Sequence, residues 1–264
     1  MMTAKSSIPL ATLVILVFVL RGSADSVPVR HTQGSLHGFL VLKDTEDKIL
    51  ASGELKQSLA GAHVATVMTL RFKDGSFYEE TAAYSQKQTF RLLNYKQVQK
   101  GPSFKTPQTM SFDTATGRLS LDYMDKGKEK IDREHLSLPS DLANGLVPLL
   151  LANIEPGGET TLSMVVAAPK PRIVKLKISA EGEDSFSVAG MGAKATRYLI
   201  KVDLGPVTGT LAKVVGKQPP PIRVWTANGN LPVFLKSEGP LYEDGPVWRI
   251  ELAAPSWPGI SPTQ

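Results

Sequence analysis

No cysteine occurs among the 264 residues. That excludes disulfides, thiolate nucleophiles, zinc–thiolate sites and iron–sulfur clusters. It also excludes a lipid anchor of the kind attached to a cysteine at a signal cleavage site. Charge imbalance is slight too. The formal net charge is +5, and lysine and arginine are spread along the chain rather than gathered into the basic stripe of a nucleic-acid binder. No nucleic-acid partner is expected, and the mild basicity fits at most contact with an anionic membrane surface. The G-x-S-x-G elbow, the H-E-x-x-H zinc motif and the G-x-x-x-x-G-K-[ST] phosphate loop are all missing. Nothing in the chain calls for a cofactor or a metal.

Only one long apolar run is present, from Ile8 to Leu20, behind Lys5 and ahead of Gly22 and Ala24. A short positive region, an apolar stretch and small residues at the −3 and −1 positions make a cleavable secretory signal covering residues 1–24. The run falls short of the roughly 20 residues that span a bilayer. An exported, periplasmic or extracellular protein is expected, with residues 25–264 forming one β-rich domain. A chain of this length buries enough surface to need no staples, so a cysteine-free core is compatible with an oxidising compartment.

What remains is mostly period-two sequence. "HVATVMTLRF" puts Val64, Met68, Leu70 and Phe72 on one face, as in a half-buried strand. Asp74-Gly75, Thr116-Gly117 and Lys126-Gly127 mark hairpin turns. "RIVKLKIS" turns Val174, Leu176 and Ile178 inward and Lys175 and Lys177 outward, and "KATRYLIKVDL" repeats the pattern with Tyr198, Ile200 and Val202. Roughly a dozen strands at hairpin spacing predict a large antiparallel meander. Two segments depart from it. "LPSDLANGLVPLLLANI" predicts a buried apolar helix from Ser140 to Ile154, weakened by Gly145 and Pro148. Val207, Leu211, Val214 and Val215 predict a short second helix that Gly216 ends. The fold class is therefore mainly β: a curved sheet, half-barrel or barrel-like, closed around a central helix, which removes free edges and buries both elements.

Candidate chemistry is thin. "GMGAKA" at 190–195 matches G-x-G-x-x-A, but a strand pattern follows it where a dinucleotide site needs a helix. His31 and His37 would sit about 20 Å apart on a strand, too far for one metal ion. Asp132 and Glu134 share a strand face about 7 Å apart, a spacing compatible with acid–base work, yet Lys128, Lys130 and Arg133 surround them as on an exposed hairpin. "KPRIVKLK" reads as an outer face. If there is a ligand site, its lining would be Met68, Leu70, Phe72, Leu146, Leu150, Tyr198, Ile200 and Trp225.

"VWTANGNLPVFLKSEG", preceded by the "KATRYLIKVDL" strand, resembles a pattern in exported bacterial β-rich proteins of unknown function. These in turn are similar to the lipoprotein-carrier half-barrels, in which a curved antiparallel sheet wraps helices and holds acyl chains. The resemblance covers residues 195–236 and implies an apolar ligand, a lipid or acyl chain, within the sheet. It assigns no individual binding residue and no catalysis. The alternative is a structural or assembly protein of the envelope acting through protein–protein contacts, with a carboxylate hydrolase a distant third.

Overall fold

The computed structural model describes residues 26–155, 157–167, 170–188, 191–205, 219–229 and 232–256. The predicted signal at 1–24 and the predicted second helix at 207–215 lie outside these residues. Eight strands come first: β1 (Leu36–Lys43), β2 (Ile49–Ala60), β3 (His63–Phe72), β4 (Phe77–Gln86), β5 (Phe90–Lys100), β6 (Gln108–Asp113), β7 (Arg118–Asp125) and β8 (Lys128–His135). A single short helix, α1 (Val147–Leu151), separates them from six more: β9 (Glu159–Val166), β10 (Arg172–Val188), β11 (Met191–Asp203), β12 (Ile222–Ala227), β13 (Phe234–Pro240) and β14 (Val247–Ser256).

All fourteen form one open antiparallel sheet in the order β8-β7-β6-β5-β4-β3-β2-β1-β14-β13-β12-β11-β10-β9. Every neighbouring pair but one is consecutive in the chain. The exception is the seam between β1 and β14, which brings the two ends of the meander together at mid-sheet through pairs such as Leu40 with Leu252 and Leu42 with Ile250. The order is thus cyclic, and its break falls at the β8–β9 connection.

The period-two pattern decides which face is buried. Leu40, Leu42, Ala51, Leu70, Phe72, Tyr78, Trp248, Ile250 and Leu252 point to the inner face and form one cluster at the seam. A larger cluster joins Tyr84, Leu92, Phe112 and Leu121 from one half of the sheet to Leu162, Leu176, Ile178, Tyr198 and Ile200 from the other. Leu142, Leu146, Leu150 and Leu151 of the connecting segment lie in that same cluster. At the seam end, Phe104 of the β5–β6 loop packs on Tyr242 of the β13–β14 loop with ring centroids 5.3 Å apart, and on Phe72 at 5.4 Å. The Tyr242 hydroxyl donates to the Ser103 carbonyl at 3.0 Å.

The predicted helix over 140–154 shrinks to the five residues of α1. Two features explain the loss. Gly145 adopts φ +68°, outside the helical region, and Pro148 at the start of α1 allows a helix to begin there but not to run through. The residues before Gly145 line the edge of β9 instead. Ser163 N–H donates to Asp141 O at 3.2 Å and Ala143 N–H donates to Ser163 O at 2.8 Å. Asn144 then imitates a backbone unit, its amide donating to Val165 O and accepting from Val165 N–H, both at 2.9 Å. One end of the open sheet is covered in this way.

Candidate functional site

The structure splits the eight candidate lining residues into three groups. Leu146, Leu150, Tyr198 and Ile200 meet in the larger cluster. Leu70 and Phe72 are buried at the seam, with Met68 half-buried against them. Trp225 is also buried, at 8% exposure, but on the opposite face of the sheet. Val224 takes the inward position on β12, and Trp225 pairs across the ladder with Arg197 and Lys236. No cavity lined by all eight is therefore possible.

Polar groups enter the interior at two places. On β4, Tyr78, Glu80, Ala82 and Tyr84 share the inward parity, so a carboxyl stands in an apolar row. Tyr95 OH donates to Glu80 Oε1 at 2.7 Å, and Tyr78 OH and the Gly145 N–H also serve the carboxyl. Glu80 as a whole is half-buried, but its carboxyl is set deep enough among these groups that desolvation pushes its pKa up in spite of their hydrogen bonds. Gln97 Nε2 donates to Tyr78 OH at 3.3 Å and extends the network. The signal for this site was present in "FYEETAAYS": a glutamate on the apolar parity of a strand.

The second place is the covered edge. Lys175 Nζ lies 2.7 Å from Ser163 Oγ and 3.3 Å from Asp141 Oδ2. The Asp141 side chain is fully buried while that of Lys175 is 45% exposed. Serine, lysine and aspartate together resemble a nucleophile with its base, but Ser163 has no exposed surface, so no acyl group can reach its hydroxyl in this arrangement. The trio ties the 141–144 segment to β9 and β10.

Around Trp225 the outer face carries a dense charged net. The indole N–H donates to Asp184 Oδ2 at 2.7 Å, and Lys236 Nζ stands 3.9 Å from the ring centroid, a cation–π distance. That N–H, followed by the Arg197 guanidinium, holds the Asp184 carboxyl below its usual range. Glu181 accepts from Arg197 Nε at 2.9 Å and from Arg223 Nε at 2.8 Å. Asn228 donates to Glu183 and accepts from Thr196 Oγ1. The Asn228-Gly229 pair does not make a two-residue turn. The loop runs on until Ala227 N–H bonds Val233 O at 2.8 Å, Gly229 alone of the pair takes positive φ, and the register shifts beside Trp225. Pro232 thus sits in the loop, ahead of β13.

The remaining candidates are dispersed. Asp132 and Glu134 lie on β8 opposite Leu121 and Leu119, at the end of the sheet. Among the described residues no three histidine, aspartate or glutamate side chains are grouped to hold a metal ion. Lys175 and Lys177 both face outward, Lys177 paired to Asp203 at 2.7 Å. "GMGAKA" runs into β11 rather than a helix. The best-formed concavities among the described residues hold about 190 Å³ and about 60 Å³. The larger lies where Arg30 pairs with Glu155 at 2.6 Å, and the smaller beside Trp248 and Ile250. None of the eight candidate lining residues borders either. No family model, curated protein or solved structure matches the chain.

Proposed function

We propose that this is an exported, non-enzymatic protein of the cell envelope that works through its surface, in assembly with other proteins. One observation carries the reading: the inner face is filled by the chain's own side chains. Leu146, Leu150, Tyr198 and Ile200 are each less than 5% exposed. Ligand pockets usually measure about 300–1,000 Å³, and the larger of the two best-formed concavities among the described residues is about 190 Å³. The order of the strands supports a sheet curved into a half-barrel around residues 138–154, as does the cluster that joins both halves. Seven strands, β6 through β1 to β14, span about 30 Å across a flat sheet, yet the loops joined to its two ends bring Phe104 and Tyr242 into ring contact. Export rests on residues 1–24, and the non-enzymatic reading on the buried Ser163 hydroxyl and on the place of Asp132 and Glu134 at the end of the sheet. No helix among the described residues is long and apolar enough to cross a membrane.

Native mass spectrometry of protein purified from its own compartment, with organic extraction of the same sample, tests the reading. The expected result is bare polypeptide mass, together with reproducible protein partners in cross-linked envelopes. A stoichiometric co-purifying lipid would overturn it in favour of the acyl-chain carrier.

A further inference from the structure

The two ends of the sheet are finished differently. The 141–144 segment covers β9, whereas β8 has no strand beside its outer edge among the described residues. Its sequence is Lys128-Glu129-Lys130-Ile131-Asp132-Arg133-Glu134-His135. Read outward from Ile131 in both directions, the charges are opposite at every step: Lys130 against Asp132, Glu129 against Arg133, Lys128 against Glu134. An antiparallel strand laid on its own copy with Ile131 at the dyad therefore meets opposite charge at each position. Slipping the register by one pair of residues, to a dyad at Asp132, sets two aspartates face to face.

The backbone permits the same register, and because a shift of the dyad to Asp132 keeps the hydrogen-bonding parity, the charges are what choose between the two. Asp125 pairs with Lys128 around the two-residue Lys126-Gly127 loop, both at positive φ. The pair that closes such a loop is hydrogen-bonded. Lys128, Lys130, Asp132 and Glu134 then bond β7, and Glu129, Ile131 and Arg133 turn their N–H and C=O groups to the free edge. A dyad at Ile131 joins those three residues of each copy through about six backbone hydrogen bonds. Side chains agree as well. Glu129, Ile131 and Arg133 share the outer face, where Ile131 is 55% and Met124 of β7 is 39% exposed. Lys128, Lys130, Asp132 and Glu134 share the inner one.

We propose that β8 is a homodimerisation edge: two copies pair antiparallel about Ile131 and extend the sheet across a two-fold axis. Alternating charges ordinarily blunt an edge against foreign strands. Here the same charges accept one partner in one register, an isologous contact that closes after two copies.

Sedimentation velocity of the mature chain across concentrations up to about 100 µM tests the state, and engineered cysteines test the register. A concentration-dependent dimer is expected, weakened in high salt. Glu129→Arg sets like charges together at two places and is expected to raise the dimer dissociation constant about tenfold. Glu129→Arg with Arg133→Glu exchanges the charges and restores it, which separates lost pairing from lost folding. The native chain has no thiol, so Ile131→Cys yields a clean disulfide dimer on oxidation. Its Cα atoms would lie about 5.5 Å apart, within disulfide reach, whereas Lys128→Cys pairs would be about 20 Å apart. A monomer at every concentration, a dimer indifferent to both charge variants, or cross-linking at 128 rather than 131 would overturn the proposal.

Discussion

Glu80 is a residue whose chemistry the fold alters. Its carboxyl is desolvated on the inner face and its pKa is raised. The folded state then binds its proton more tightly than the unfolded chain does. Stability from this group is fully present below the unfolded carboxylate range and is lost as pH climbs from there through the raised value. Glu80→Gln retains an acceptor for Tyr95 OH and the Gly145 N–H and does not ionise. Urea midpoints taken from about pH 4 to about pH 8 should show the wild type losing ground to the variant as pH rises; parallel profiles would mean that the carboxyl is not desolvated. Gly145 completes the arrangement. At φ +68° a side chain is strained, and an added Cβ would come 2.8 Å from Ala82 Cβ. Gly145→Ala is expected to cost about 2–4 kcal/mol in equilibrium unfolding.

At the scale of elements, the connection between β8 and β9 decides how the sheet ends. Asn144 is nearly inaccessible and supplies both partners of Val165. Asn144→Ala leaves a buried N–H and a buried carbonyl unsatisfied, at an expected cost of about 3 kcal/mol, and hydrogen exchange at Val165 should accelerate with it. Asn153 does similar work at the other end of α1, accepting from the Arg30 and His31 N–H groups at 2.9 and 2.8 Å. The strands on either side were legible in the sequence: "HVATVMTLRF" is β3 from end to end, and the Asp74-Gly75 turn joins it to β4. The 140–146 stretch was not. Its leucines repeat at helical spacing because they face a core on several sides, and periodicity cannot separate a buried helix from a buried extended segment. Trp225 was misplaced for a related reason. Tryptophan reads as core, but here Lys236 of the neighbouring strand lies over the ring and Asp184 takes the indole N–H, and only strand register reveals them.

For the whole molecule, the pairing that matters most is the one with the greatest separation in sequence. Strands consecutive in the chain make every other strand pairing of the sheet, and turn residues announce most of them. No local signal announces that β1 lies beside β14, because alternation says which face is buried and not which strand is adjacent. That seam joins the two meanders into one sheet. The larger cluster draws on both halves, and Phe104 and Tyr242 meet across the seam cluster. Leu40 stands at its centre, 1% exposed and opposite Leu252. Leu40→Ala is expected to cost about 3 kcal/mol. The loss should move the whole transition, since neither half can keep its inner face dry without the other. Hydrogen-exchange mass spectrometry through a urea series reads this directly: peptides from β5–β6 and from β10–β11 should open at one midpoint in the wild type and at one lower midpoint in the variant. Separate midpoints would divide the chain into two domains at the seam, and the continuous sheet would then be two sheets abutted rather than a single folding unit.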